Sequence, residues 1–536
     1  MSDTTQFDVI VLGAGHNSLI LQAYLGRAGL RVVCLERSGT AGGGLATVED
    51  SHNPGFLHNT HSFFHRAITQ MPWFTDLDLA RHGADYIEPE LNVALLLQNG
   101  DALKWWTDFE RTVESFARFS KKDADALCRW HDDFVPIVEH ILSVEAQAPP
   151  LPIAQRKQIL SQTTEGRLLL KVSQLSPLEF VRQEFEHPVI QAGLLFFNGL
   201  REVDLRASGF GHHIPALLAS KGKAQMCRGG ASGLAHALCS AVEEQGGEIW
   251  LNTELRRILI ENKRVVGVET TDGKCINASV VVSGLNPHQT FLDLIDEGDL
   301  PETWRNRAQA FKYNVLAPLF ALNLNLREAP YYEASEKHPE IQDALMVIMG
   351  LEHCDQYPDI VAHHEKGTRP PIVMWGSCPT RFDETQAPLG GHTAFMWQKL
   401  PYRLGGDPAN WDREQDVVGK EMLNKWADYA PNLKTCIIDS FVRSPLDVER
   451  FLPNMRYGDL LIGAFTDGQI GHNRPFPGAG HYRGHVEGLY LCGSCCHPGG
   501  NITGLPGYNA AQVIHQDLGI DALWIPEPVH LKLGSL

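Results

Sequence analysis

The strongest constraint on the fold lies within the first forty residues. Residues 7–12, FDVIVL, are apolar and β-branched, the pattern of a strand buried on both faces of a parallel sheet. GAGHNS follows at 13–18, and LILQAYLGRAGL then carries apolar residues at helical spacing. RVVCLE, ending at Glu36, reads as a second strand. Strand, glycine turn, helix and strand make a βαβ unit, which commits the chain to a Rossmann-like α/β domain with a parallel sheet. Gly13 permits the tight turn, and Gly15 lets the backbone approach a pyrophosphate at the positive end of the helix, beside His16 and Asn17. Ser18 stands where a third glycine would serve helix–strand packing, and it is small enough to replace it. Glu36, followed by Arg37, ends the second strand at the distance suited to an adenosine ribose.

The next residues choose between dinucleotides. RSGTAGGGLAT, residues 37–47, holds a second glycine-rich loop at Gly42, Gly43 and Gly44. A nicotinamide dehydrogenase has no need of a second backbone surface there, whereas the longer FAD does. The block 227–284 returns to the same domain with a helix near 233–245 and strands around 248–260, 264–270 and 276–282. In the tail, GLYLCG at 488–493 is a turn and a buried strand ending at Gly493, and PGYNAAQVIHQDL is a helix with Pro506 in its first turn. Backbone N–H groups near Gly507, Tyr508 and Asn509 are expected to face the N1–C2=O edge of a reduced flavin.

Between these three pieces lie two longer segments. The expected boundaries are 1–75, 221–295 and 455–536 for the FAD-binding domain, and 76–220 (largely helical) and 296–454 for a discontinuous α+β substrate domain. The net charge of −18 opposes docking on nucleic acid or anionic lipid. No apolar run is long enough to cross a bilayer, and no signal peptide is visible. Eleven scattered cysteines point to reduced thiols, hence a cytoplasmic protein with at most peripheral membrane contact.

Two clusters invite a metal reading. Cys492, Cys495, Cys496 and His497 lack a second ligand pair in register, and a Cys492–Cys495 redox pair would place one thiol inside the strand. His58, His61 and His65 would share a face only if LHNTHSFFHR were helical, and no carboxylate is in register with them. No metal site is expected from either.

The chain resembles the phytoene-dehydrogenase-like FAD oxidoreductases of the flavin amine oxidase superfamily, nearest the oxygen-type β-carotene ketolases. The resemblance rests on DVIVLGAGHNSLILQAYLGRAGLRVVCLE, on GGGLAT, on the block from Gly229, and on GDLLIGAFTDGQIGHNRPFPGAGHYR leading into LYLCGSCCHPGGNITGLPGYNAA. It departs from the family pattern where Gly44 replaces an arginine and Ser494 an acid, both usual phosphate or ribityl contacts. The resemblance implies that the region around Leu255 lies beside the adenine and that His61 and Ser62 lie against the flavin. It implies a flavoenzyme acting on C–C or C=C bonds of a small apolar substrate, with dioxygen or a quinone as electron acceptor. Desaturation, isomerisation, saturation and ketolation share one binding site and stay open at this level, as do an amine oxidase and a flavin-containing scaffold. Candidate catalytic groups are His61, His497 and Tyr508, while Arg474 reads as a loop brace.

Overall fold

The protein is described by a computed structural model over residues 6–520 and 529–534. Its α/β half is built on a five-stranded parallel sheet in the order Glu248–Trp250, Val32–Leu35, Val9–Leu12, Val280–Ser283, Leu489–Leu491. The strand Val9–Leu12 is fully buried, as its unbroken apolar run requires. The helix His16–Arg27 is buried from His16 to Gly26 because other helices cover it. A Cβ on Gly507 would sit 2.0 Å from the Asn17 carbonyl, so the helix Leu505–Leu518 lies directly on its first turn. A small antiparallel sheet, Leu255–Glu261, Arg264–Thr270 and Cys275–Asn277, flanks this core.

The second half is a seven-stranded mixed sheet in the order Ile437–Arg443, Leu319–Leu326, His392–Lys399, Met374–Ser377, Ala344–Met349, Leu91–Leu96, Ala102–Trp106. Residues 76–220 are helical from Phe109 onward, but they open with the two strands that close the far edge of this sheet. The pairing register decides which side chains share a face. Trp375 lies opposite Trp397 and Leu319 opposite Lys399, so with the two-residue strand period all four present one face. No helix among the described residues is long and apolar enough to cross a membrane.

Candidate active site

The strands Val9–Leu12, Val280–Ser283 and Leu489–Leu491 run in parallel, and glycine follows close behind each: Gly13, Gly284 and Gly493. These chain reversals crowd one another. A Cβ on Gly284 would meet Ser18 Oγ at 2.2 Å, and one on Gly493 would meet the Gly284 carbonyl at 2.5 Å. Ser18 therefore fills the place of the third glycine because Gly284 leaves room for it, and its hydroxyl lies 3.7 Å from the Cys492 thiol. The ends of parallel strands in such sheets are where ligands bind.

Gly15 begins the helix at φ −72° with no side chain capping the first turn. A Cβ there would have no atom within 4 Å, so its N–H groups open onto free space. The second glycine loop is stitched to the first: Gly42 N–H donates to the Ala14 carbonyl at 2.7 Å, and Gly15 and Gly42 form a parallel bridge. Gly42 must be glycine, since its φ is +111° and a Cβ would lie 2.6 Å from that of Ala235. Glu36 accepts from Ala14 N–H and Ser38 N–H, both at 2.8 Å, which aims its carboxylate along the same edge. Beyond it, Thr253 N–H donates to the Glu36 carbonyl, bringing the approach to Leu255 alongside; Arg37 is exposed.

Past Gly43 and Gly44 this edge opens into a cavity of about 1110 Å³, counting its mouth. Its near wall is the helix start, Gly15 to Ser18, with Gly284, Ser494 and Asn501. Asn17 Nδ2 donates to Ser494 Oγ at 3.2 Å, tying the first and last loops together. The far wall is Phe63, Phe64, Trp375, Trp397 and Leu319, closed by Leu460–Ile462. Phe64 meets Trp397 edge-on at 5.7 Å, and Phe63 meets Phe395 at 5.1 Å. Among the described residues Lys399 is the only one lining it with an ammonium, which donates to the Ala317 carbonyl at 2.7 Å. No carboxylate lines the cavity among the described residues.

His61 and Ser62 both line this cavity. His61 Nδ1 is 2.9 Å from Thr60 Oγ1, and its ring stacks on Phe451 at 5.6 Å. Burial, reinforced by Arg443, lowers its pKa to about 3, so the imidazole is neutral at pH 7. His58 and His65 turn elsewhere, because residues 57–59 and 65–66 are strands and not a helix. His58 Nε2 lies 2.7 Å from Asn325 Oδ1, and His65 Nε2 lies 2.8 Å from Ser62 Oγ.

Three expected residues are set away from the cavity. His497 Nε2 is bonded to the Glu145 carbonyl at 2.9 Å, and burial lowers its pKa to about 4. Tyr508 gives its N–H to the Gly504 carbonyl and packs its ring edge-on against Tyr24 at 5.4 Å. Asn509 donates to the carbonyls of Ala146 and Ala148. Helix phase turns both side chains out of the cavity, and Gly507 serves the close approach to Asn17. The cysteines of the tail are packing residues: Cys492, Cys495 and Cys496 are buried, and the last two touch at 3.9 Å. Arg474 is fully buried and donates to the carbonyls of Ile462, Gly463, Ala464, Gln469 and Ser494, bracing the loops behind the cavity.

The residues expected to hold a dinucleotide and the apolar wall thus line one cavity. Residues 23–402 match the model of the flavin containing amine oxidoreductase family. The chain belongs to that family. It is an FAD-dependent oxidoreductase. The chain is 30% identical to a limonene dehydrogenase subunit of Castellaniella defragrans, over 98% of each chain. It is 23% identical to the lycopene-forming phytoene desaturase of a Paracoccus strain, over 95% of this chain and 97% of that one. The solved structure of cyclohexylamine oxidase from Brevibacterium oxydans shares the fold at 14% identity, with a TM-score of 0.59 over 96% of this chain and 99% of that one. The site fits the cofactor. The Gly15 cradle is open, Glu36 is aimed along it, and His16 Nε2, Asn17 Oδ1 and His61 Nε2 are buried polar atoms with no partner among the described residues.

Proposed function

We propose that the protein dehydrogenates a small apolar hydrocarbon, removing two hydrogens from a CH–CH unit to leave a double bond. The observation that carries this reading is the wall of Phe63, Phe64, Trp375 and Trp397 facing the dinucleotide cradle across a cavity that no carboxylate of the described residues lines. Such a wall desolvates a hydrocarbon at about 25 cal/mol per Å² of apolar surface covered. It offers no counter-ion to an ammonium, which sets an amine substrate at a disadvantage. The relatives named for limonene dehydrogenation and phytoene desaturation support hydride removal over ketolation.

When bound, FAD supplies a two-electron hydride acceptor. The chain's own residues do the rest. Gly15, Gly43 and Glu36 fix the cofactor's phosphates and ribose. The aromatic wall holds the substrate's hydrogens toward the ring and keeps water out. Neutral His61 and Ser62, on the cavity wall beside Phe63 and Phe64, would take the vicinal proton. Reoxidation of the bound cofactor would call for dioxygen or a quinone as electron acceptor.

The test is anaerobic mixing of the FAD-loaded protein with limonene, phytoene and an aliphatic amine. Bleaching of the oxidised flavin by a hydrocarbon, with a new double bond in the product by mass spectrometry, is the expected result. Bleaching by the amine alone would refute the reading.

A further inference from the structure

A second cavity, of about 1200 Å³ counting its mouth, adjoins the first. Leu319 lines the first and Pro318 the second, Lys399 the first and Pro401 the second, Leu460 the first and Tyr457 the second. The two share no lining residue, and neither cofactor binding nor substrate packing makes use of the second.

One wall is a row of rings packed edge-on. Tyr313 meets Phe311 at 5.1 Å and Tyr457 at 5.3 Å, and Tyr457 meets Tyr402 at 5.6 Å. Such edge-on sets accept a further flat ring. Tyr457 stands in the row on a left-handed backbone, φ +59°, an uncommon and strained conformation for a bulky residue. Glu449 fixes the row from behind, accepting from the Tyr402 hydroxyl and, at 2.9 Å, from Tyr457 N–H. The Tyr313 hydroxyl is buried with no hydrogen-bond partner among the described residues, and burial raises its pKa, so it stays neutral.

Cations gather at the same place. Lys366 and Arg403 line the cavity, both exposed and neither in an ion pair among the described residues. The Arg403 guanidinium lies 5.8 Å from the Tyr457 ring, and that of Arg456 lies 5.3 Å from it. Glu365 is the one lining carboxylate among the described residues, and Arg206 holds it at 2.6 Å. On a chain of net charge −18, two uncommitted cations beside a wall of rings are a local reversal of sign.

We propose that this cavity is a second binding site, for a planar aromatic anion. The ligand's ring packs among Tyr313, Tyr402 and Tyr457, and its carboxylate or phosphate meets Arg403 and Lys366. The guanidinium fork matches the oxygens of either group. The Tyr313 hydroxyl is the buried donor for a ring substituent. The site is independent of the dehydrogenase reading, since it touches neither the cofactor cradle nor the hydrocarbon wall.

The experiment titrates the FAD-loaded protein with anilinonaphthalene sulfonate, an aromatic anion whose fluorescence rises on leaving water. K366E/R403E should weaken the probe roughly tenfold, the sum expected of two exposed charge contacts reversed in sign. K121E/K420E, which reverses two exposed lysines elsewhere, should leave it unchanged. Y457G keeps the backbone conformation, removes the central ring and should also weaken the probe. Flavin content equal to wild type shows that the variants are folded. Displacement of the probe by naphthoate would mark an aromatic carboxylate as the ligand, and displacement by adenosine monophosphate a nucleotide. Displacement by neither, or equally by uncharged naphthalenemethanol, would overturn the proposal. So would wild-type probe affinity in both K366E/R403E and Y457G, or equal weakening in K121E/K420E.

Discussion

Adding one methyl group at either of two bridged glycines should fail in opposite ways. At Gly15 a Cβ meets no atom within 4 Å, and φ is −72°, which any residue adopts. Alanine at a helix N-cap costs about 0.5–1 kcal/mol against glycine. It regains about 0.4–1 kcal/mol through the smaller entropy of the unfolded chain. G15A without cofactor should therefore unfold at the wild-type denaturant midpoint. The methyl group would instead project into the open cradle proposed for the pyrophosphate. Hydrogen bonds to a charged group contribute about 1.5–3 kcal/mol each, so losing one or two weakens FAD by about 2–5 kcal/mol, or roughly 30- to 5,000-fold. At Gly42 the methyl group would lie 2.6 Å from the Ala235 Cβ on a backbone at φ +111°. Strain of about 1–3 kcal/mol and overpacking of similar size make G42A a folding defect of about 2–6 kcal/mol. Urea unfolding of the cofactor-free proteins, paired with FAD titrations followed by flavin fluorescence, separates the two costs. A G15A protein that binds FAD like wild type, or unfolds as early as G42A, would refute this account of the cradle.

Three further outcomes concern buried groups. R474M leaves five carbonyls without their donor and should cost about 3–5 kcal/mol of stability in urea unfolding; R450M, at an exposed pair with Asp412, should cost at most about 1 kcal/mol. His16, His61, His65 and His497 are all lowered to about 3 or 4 by burial. Their unfolded forms take up protons first, so this stability is present above about pH 6.5 and is lost as pH falls toward 4, by up to about 1.4 kcal/mol per pH unit for each. The urea midpoint should drop between pH 7 and 5, less steeply in H497Q, and an unchanged midpoint would contradict the burial. Y508F should keep wild-type FAD affinity in the same fluorescence titration, because its ring packs on Tyr24.

The parts of the fold legible from sequence are those written in local patterns. The first βαβ unit, the helix Ser232–Glu244 and the strand Leu489–Leu491 each follow from their own local pattern. Gly15, Gly43, Gly44, His61 and Ser62 come together in one cavity as the glycine spacing and the family resemblance imply. Lys399, Trp375 and Trp397 were not legible, since they reach the cavity only through sheet order and register. Gly284 carried a readable signal, a glycine directly after a strand, yet its partner Ser18 is 266 residues away. The Tyr508 side chain went astray on helix phase, and the His497 ring on a contact with Glu145, 352 residues distant.

The central sheet joins the first strand of the chain to one of its last, for Leu12 and Leu489 lie 477 positions apart in the sequence. At synthesis rates of about 5–20 residues per second, the ribosome needs roughly 25–95 s to make that span. For the later part of this interval the edge of Val280–Ser283 that finally receives Leu489–Leu491 has no partner strand. The nascent protein must shield that open edge, and its flavin can be fully enclosed only after translation is nearly finished.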